Sequence, residues 1–100
     1  MKNFNQSVWQ VTKKIPKGKV ATYAMLARKI GKPKSARAVG NALNKNPFAP
    51  IVPCHRVIRS DGSIGGFASG TNKKIKLLKK EGILIRGTKV LSLEKFLVRL

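Results

Sequence analysis

Hydrophobic residues near the start of the chain recur every three or four positions, which is the spacing of an amphipathic helix. The positions that share this face are Phe4, Val8, Val11 and Ile15. Pro16 ends the pattern, because proline lacks the backbone N–H that a helix needs. The pattern therefore predicts a first helix that begins near Phe4 and ends before Pro16.

Two shorter helical patterns follow, and a turn that contains glycine and proline joins them. The first runs from Tyr23 to Ile30 with Thr22 as its N-cap, and the second runs from Ser35 to Leu43 with Ser35 as its cap. Two short helices joined in this way are typical of a helix-turn-helix, whose second helix contacts nucleic acid. The small residues of the second helix either allow close approach to a partner or simply pack against the preceding helix.

The last half of the chain predicts a strand, a loop, a helix, a hairpin and a final helix. Val57-Ile58 is a short β-branched strand, and residues 64–70 are too rich in glycine for a regular element. Thr71 is expected to cap the next helix, which ends at Gly82. Its lysines should point mostly outward: Lys73, Lys74, Lys76, Lys79 and Lys80.

The chain ends with a hairpin and a helix. Ile83 to Val90 predicts the hairpin, and Ser92 is expected to cap a helix over residues 93–100. A hairpin behind a helix-turn-helix indicates a winged arrangement. The predicted fold class is therefore a mainly helical α/β domain, a winged helix-turn-helix-like DNA-binding domain with a small β hairpin.

The charge balance narrows the choice of partner. The 100 residues include 22 Lys plus Arg and 3 Asp plus Glu, for a formal net charge of +19 at pH 7. This excess favours a polyanion, with nucleic acid the leading candidate and an anionic membrane surface the second. The length predicts one domain over residues 1–100, and no apolar run reaches the roughly 18 residues of a membrane span. We expect a soluble intracellular protein without a signal peptide.

The only cysteine and the only histidine stand side by side in Pro53-Cys54-His55-Arg56. One Cys and one His cannot supply the three or four ligands of a zinc site, so no metal is expected. A lone cysteine is most often a small buried hydrophobic residue. Here a base and a cation adjoin it, and such groups activate a thiol as a nucleophile. Both interpretations stay open on these residues alone.

The three acidic residues differ in how easily their positions are explained. Asp61 precedes a glycine in a turn, and Glu94 lies in the first turn of a helix, where the helix dipole favours negative charge. Glu81 lies at a helix C-terminus, where the dipole disfavours an acid by about 1 kcal/mol or less. It is either a solvated carboxylate beside two lysines or the group that accepts the ring N–H of His55 and orients it.

Several motifs together resemble one family over nearly the whole chain, from about Phe4 to Leu91. They are Ala36-Arg-Ala-Val-Gly-Asn-Ala42, Asn46-Pro47, Ile51-Val-Pro-Cys-His-Arg-Val57, Gly65-Gly-Phe and Lys80-Glu-Gly82. These motifs are similar to those of the O6-alkylguanine-DNA alkyltransferases, or methylated-DNA-protein-cysteine methyltransferases. The chain resembles the C-terminal catalytic domain of that family, without the N-terminal domain of its larger members.

The resemblance implies a chemical role for each residue of the site. Cys54 resembles the acceptor that attacks the alkyl carbon on O6 of guanine and keeps the alkyl group irreversibly, so that each molecule acts once. His55 would take the thiol proton through a water, with Glu81 behind it. Tyr23 resembles the tyrosine that donates a proton or a hydrogen bond to guanine N3. Asn46 resembles the residue that holds the active-site turn.

The resemblance also implies a DNA-binding face and a base pocket. Arg37 matches the arginine that enters the duplex where a nucleotide has flipped out, with its helix in the minor groove. The other DNA-binding residues it implies are Ser35, Ala36, Ala38, Gly40, Asn41 and Arg56. The guanine pocket would be formed by Val57, Gly65, Gly66, Phe67, Ala68 and Ser69. Phe67 and Ala68 depart from the tyrosine and serine found in other members, which bears on affinity and substrate range.

Taken together, the resemblance implies a monomeric suicide methyltransferase that repairs double-stranded DNA containing alkylated guanine, with activity on O4 of thymine as an extension. It implies no cofactor and no membrane partner. The expected location is the cytoplasm, with the nucleoid in a prokaryote or the nucleus in a eukaryote. One alternative is a non-catalytic alkyltransferase-like protein that flips and flags the lesion, although such proteins generally replace the acceptor cysteine. Another is a winged-helix transcription factor, which leaves Cys54 and Glu81 unexplained.

Overall fold

The computed structural model describes residues 3–48, 51–65 and 70–100. The helices in these ranges are α1 (Phe4–Thr12), α2 (Tyr23–Lys29), α3 (Ala36–Asn44), α4 (Thr71–Lys80) and α5 (Leu93–Phe96). The strands are β1 (Ala21–Thr22), β2 (Val57–Ile58), β3 (Ile85–Arg86) and β4 (Lys89–Val90). A single turn of 3-10 helix, Cys54–Arg56, precedes β2 and is called the cysteine turn below. None of the described helices is long and apolar enough to cross a membrane.

The first three helices pack on one another around a first hydrophobic cluster. Its buried members are Val8, Ile15, Ala21, Leu26, Ala27, Val39, Ala42, Leu43 and Val57. Trp9 links α1 to α3, because its indole N–H donates to the carbonyl of Ala42 at 2.8 Å. The helix-turn-helix predicted from the sequence is therefore present as α2 and α3. The first helix ends at Thr12, earlier than predicted, although Ile15 beyond it is still buried.

The two helices of this motif begin differently. Thr22 caps α2 as predicted, since its hydroxyl accepts from the Met25 N–H at 3.1 Å. Ser35 is the N-cap residue of α3 but makes no capping bond through its side chain, so that part of the prediction is wrong. Its backbone ψ of 25° differs from the extended ψ of 157° at Thr22. An N-cap side chain reaches the first turn from extended backbone, which explains the difference.

A parallel strand pair, which the sequence pattern does not predict, joins the two halves of the chain. Ala21 of β1 pairs with Val57 of β2, and Thr22 pairs with Ile58. β1 leads directly into Tyr23, and β2 directly follows the cysteine turn. The pair therefore places the start of α2 beside the cysteine turn.

The second half forms the wing and a second hydrophobic cluster. The predicted hairpin is present, with β3 and β4 antiparallel and Ile85 opposite Val90. The cluster contains Val20, Ile58, Ile64, Leu78, Ile83, Val90 and Phe96. Fold class is thus confirmed as a mainly helical domain with a small hairpin behind a helix-turn-helix.

Three details of this half correct the sequence analysis. Thr71 is the first residue of α4 rather than its cap; the cap position belongs to Gly70, whose φ of 100° suits glycine. The last helix ends at Phe96 because the following backbone is extended, and Val98 N–H donates to the carbonyl of Val20 at 2.9 Å. Lys74 does not point outward but is fully buried.

The different caps of α2 and α3 give a stability prediction. Thr22→Ala removes an oxygen that accepts a helix N–H, so the free energy of unfolding should fall by about 1 kcal/mol. Ser35→Ala is the matched control and should cost less than about half of that, because its side chain makes no such bond. Urea unfolding of both variants measures the difference, and equal losses would contradict the assignment of the caps.

Candidate active site

The cysteine turn is held in place by a side chain from the preceding loop. Asn46 Nδ2 donates to the carbonyl of Val52 at 2.9 Å, and Asn46 Oδ1 accepts from the Phe48 N–H at 2.8 Å. Cys54 N–H donates to the same Val52 carbonyl at 2.9 Å. The sequence analysis assigned Asn46 to holding this turn, and the structure places it there. Cys54 itself is half-buried with a free thiol.

His55, Arg56 and Glu81 form one ion-pair network behind the cysteine. His55 Nε2 lies 3.1 Å from Glu81 Oε2. The Arg56 guanidinium donates to both oxygens of the same carboxylate, at 2.9 Å from Nε and 2.6 Å from Nη2. Their side chains are only 7% (His55), 17% (Arg56) and 12% (Glu81) exposed. The pairing of Glu81 with His55 that the sequence analysis raised is therefore present, and Glu81 is not a solvated surface acid.

The network sets the charge states that a base at this site needs. Burial lowers the pKa of His55 below its usual 6.5, against the hydrogen bond and the negative charge of Glu81, which raise it. Burial raises the pKa of Glu81, but the hydrogen bonds from Arg56 and His55 outweigh it and leave that pKa below 4.5. At neutral pH the site therefore holds a neutral imidazole against a carboxylate. With Nε2–H donated to Glu81, the other ring nitrogen, Nδ1, is free to accept a proton.

The contacts of Arg56 differ from the DNA contact predicted for it. The sequence analysis assigned Arg56 to DNA, but all three of its guanidinium nitrogens bond inside the protein. Two donate to Glu81, and the third donates to the carbonyl of Ile15 at 2.8 Å. A bidentate pair with a carboxylate is a strong, geometrically specific use of an arginine. The structure therefore assigns Arg56 to the support of Glu81 rather than to a DNA surface.

Tyr23 stands at the first position of α2 and interacts electrostatically with Cys54. Burial raises the pKa of its phenol, the Arg59 charge lowers it, and the charge of Cys54 raises it further. The phenol therefore keeps its proton at neutral pH. Lys74 of α4 lies behind it, with its ammonium 3.4 Å from the Tyr23 hydroxyl oxygen.

Tyr23 also lines an open cavity of about 350 Å³ beside the second helix of the helix-turn-helix, called the α3 cleft below. Its lining residues are Tyr23, Ala36, Arg37, Gly40, Asn41, Asn44 and Arg59. The core-facing residues of α3 are Val39, Ala42 and Leu43. Of its small residues, Ala42 therefore packs in the core, whereas Ala36 and Gly40 line the cleft. Four of the predicted DNA-binding residues thus share one cleft: Ala36, Arg37, Gly40 and Asn41. Ser35 and Ala38 do not line it.

The predicted guanine pocket is described only in part. Gly66, Phe67, Ala68 and Ser69 lie outside the described residues. Val57 is fully buried in β2, and its N–H donates to the carbonyl of Cys54. Gly65 has φ +75°, and an added Cβ would stand 3.4 Å from the Arg59 side chain and 3.5 Å from the Tyr23 hydroxyl. Those distances are ordinary van der Waals contacts, so it is the positive φ that favours glycine at 65.

Lys74 and Arg59, two residues near Tyr23, are absent from the site predicted from the sequence. Lys74 escaped notice because a lysine counts as polar, yet it lies four positions before Leu78 on the buried stripe of α4. A lysine at a core position of a helical pattern is the signal that would have identified it. Arg59 carries no comparable signal, since it is one of many exposed cations.

The fold and the site together define a winged helix-turn-helix domain with a cysteine, histidine and glutamate group at the cysteine turn and the end of α4. A family model described as "6-O-methylguanine DNA methyltransferase, DNA binding domain" matches residues 3–83. The chain therefore belongs to the 6-O-methylguanine DNA methyltransferase family. The match is to the DNA-binding domain, which replaces the narrower description as a C-terminal catalytic domain.

Three relatives illustrate the similarity. The methylated-DNA–protein-cysteine methyltransferase of Methanosarcina acetivorans is 54% identical over 79 residues, which are 79% of this chain and 51% of that protein. The Mycobacterium tuberculosis OGT in a complex with DNA has a TM-score of 0.78 and 46% identity, covering 81% of this chain and 50% of that one. Atl1 of S. pombe, solved with damaged DNA containing O6-carboxymethylguanine, has a TM-score of 0.87 and 33% identity over 100% of both chains. The chain thus spans about half the length of the first two relatives.

The pKa directions predict how stability depends on pH. The unfolded chain binds a proton at His55 near pH 6.5, whereas the folded state resists it, so stability should fall as the pH drops from 6.5 through the lower folded pKa. The contribution of Glu81 is complete above pH 4.5 and is lost as the pH falls through its folded value below that. Urea midpoints measured across this range should therefore decrease with acidification. His55→Gln should flatten the curve between pH 4.5 and 6.5, and parallel curves for both proteins would contradict the assignment.

Proposed function

We propose that this domain repairs alkylated DNA by transferring the alkyl group from O6 of guanine, or from O4 of thymine, to Cys54. The observation that carries the proposal is a half-buried free thiol next in sequence to a neutral histidine that pairs with Glu81, together with a protonated phenol that opens on the α3 cleft and interacts electrostatically with Cys54. Family membership and the name of the Methanosarcina relative support it. The proposed activity is that of a methylated-DNA–[protein]-cysteine S-methyltransferase.

The chemistry needs only groups of this chain. The thiol proton passes through a water to His55, whose imidazolium Glu81 then stabilises. The sulfur attacks the alkyl carbon, the bond from that carbon to O6 breaks, and its electron pair leaves with guanine. Tyr23 donates a hydrogen bond to N3 of the departing base, where the negative charge develops. The alkyl group stays on sulfur, so each molecule acts once and no cofactor takes part.

Binding of duplex DNA is proposed through the α3 cleft. The net charge of +19 attracts the phosphate backbone, and the side chains of Arg37 and Arg59 both line the cleft. An alkylated base inside a stacked duplex cannot reach a half-buried thiol, so it must flip out, at a cost of about a few kcal/mol. We propose that the Arg37 side chain enters the duplex and fills the space that the flipped nucleotide leaves. A single copy of the domain, with α3 in the minor groove, suffices for this arrangement.

A second candidate is recognition of the lesion without transfer. The match to Atl1 over 100% of both chains favours it, since that structure holds damaged DNA. The candidate site provides the discriminating feature, because a lesion-binding protein has no need of a thiol held beside a paired histidine.

Intact-protein mass spectrometry separates the two candidates. After incubation with a duplex that contains O6-methylguanine, the protein should be heavier by one methyl group, because the thioether is stable. Cys54→Ser should bind the duplex and show no gain. A wild-type protein of unchanged mass that still binds the modified duplex would refute transfer and support lesion recognition.

Arg37 provides a test of flipping. Arg37→Ala should slow transfer from duplex DNA by about tenfold to a hundredfold, because one guanidinium contact to DNA is lost. Transfer from the free O6-methylguanine base should be unchanged, since no nucleotide has to be replaced in a stack. Arg28→Ala is the matched control, an exposed arginine at the end of α2 that lines a different cavity, and it should change neither rate by much. Equal losses on both substrates would show that Arg37 supports the fold instead.

A further inference from the structure

Lys74 is a fully buried lysine, with no exposed surface, whereas no other lysine among the described residues is buried. A lysine is almost never buried in this way without a specific reason, because its ammonium loses its hydration. It lies on α4 seven residues before Glu81, so that two helical turns place both side chains on one face of the helix. This face packs against the cysteine turn. The same helix therefore presents a cation and an anion to the site.

The ammonium of Lys74 meets the phenol of Tyr23. Its Nζ donates to the hydroxyl oxygen at 3.4 Å and stands 5.7 Å from the centre of the ring. An oxygen that accepts from a buried donor must direct its own proton elsewhere. Tyr23 lines the α3 cleft, whereas Lys74 lies in the protein interior, so the proton is directed toward the cleft.

Charged and titratable groups face Lys74 from three further elements: Tyr23 from α2, Cys54 and His55 from the cysteine turn, and Arg59 after β2. Burial lowers the pKa of Lys74 from 10.5 to about 8, the charge of Cys54 raises it, and Arg59 lowers it. Lys74 is therefore charged at neutral pH and loses its proton only about one pH unit higher.

We propose that Lys74 is a positioning residue of the alkyl-transfer site, which aims the Tyr23 hydroxyl into the α3 cleft and keeps a positive charge beside the thiol. The proposal rests on the proposed function. In that reaction a negative charge begins on sulfur, a carbon–sulfur bond forms as the carbon–O6 bond breaks, and the charge leaves with guanine. The charge of Lys74 interacts with that of Cys54, where this charge begins, and its ammonium donates to the Tyr23 hydroxyl, which meets the charge at the end. Lys74 therefore favours both the thiolate at the start and the hydrogen bond from Tyr23 to the departing base, without touching the base itself.

The pH dependence of transfer from the free O6-methylguanine base tests the role in positioning. Lys74→Met removes the charge but keeps a similar volume. Lys73→Met is the matched control, since Lys73 is exposed on the same helix and its loss changes net charge equally. At pH 7 wild type should react about tenfold or more faster than Lys74→Met.

This rate ratio should shrink toward one as the pH rises past about 8, because wild-type Lys74 then loses its own charge. The ratio of wild type to Lys73→Met should stay close to one at every pH. A wild-type to Lys74→Met ratio that is constant with pH would overturn the proposal, since a purely structural lysine acts equally at all pH values. Circular dichroism establishes that each variant is folded.

A second measurement needs no alkylated base. Cys54 is the single cysteine, so iodoacetate and iodoacetamide both report on it, and only the first is an anion. Lys74→Met should lower the ratio of the iodoacetate rate to the iodoacetamide rate at least about threefold, and Lys73→Met should leave it unchanged. Equal ratios in both variants would overturn the placement of the charge beside the thiol. If wild type gains no methyl group from the O6-methylguanine duplex, the proposed function fails, while this ratio still decides where the charge of Lys74 acts.

Discussion

The Glu81 carboxylate accepts hydrogen bonds from both His55 and Arg56, and the arrangement of the site depends on this shared acid. Arg56 in turn donates to Ile15 between α1 and β1. A single side chain at the end of α4 therefore connects α4, the cysteine turn and the segment after α1. The helix dipole opposes an acid at this end by about 1 kcal/mol or less, and two charge-assisted hydrogen bonds more than offset it.

Glu81 is also important because the rest of the molecule carries a large positive charge. Of the three acids, Asp61 accepts from the Ser63 N–H and hydroxyl within its turn, and Glu94 lies in the first turn of α5. Burial, with the positive charges of Arg56 and Lys74, lowers the pKa of His55 and so favours its neutral form. A neutral His55 can act as a base, but the same surroundings disfavour the imidazolium that forms once it has accepted a proton. Glu81 supplies the local negative charge that makes the second state attainable.

The sequence predicts the parts of this fold whose signals are local. Periodicity identifies the helix-turn-helix, and the rarity of Cys, His and acid identifies Cys54, His55 and Glu81. The sequence predicts β2 as a strand, but its pairing with β1 escapes prediction because the two strands lie far apart in the sequence and each has only two residues. The end of α5 depends on a distant partner, Val20, which no window around residue 96 contains. Lys74 escapes because its burial is decided by the groups it meets, not by its own polarity.

The residues of the site extend from elements that pack in two different hydrophobic clusters, and the two clusters meet at the β1–β2 pair. Ala21 and Val57 belong to the first cluster, while the adjoining Val20 and Ile58 belong to the second. The side chains of Tyr23 and Cys54 pack against the first cluster, whereas Lys74 and Glu81 extend from α4, whose Leu78 lies in the second. A shift of one cluster against the other would separate the thiol from its cation and the histidine from its acid at the same time. Four residues of parallel strand therefore determine whether the charges of α4 meet the thiol.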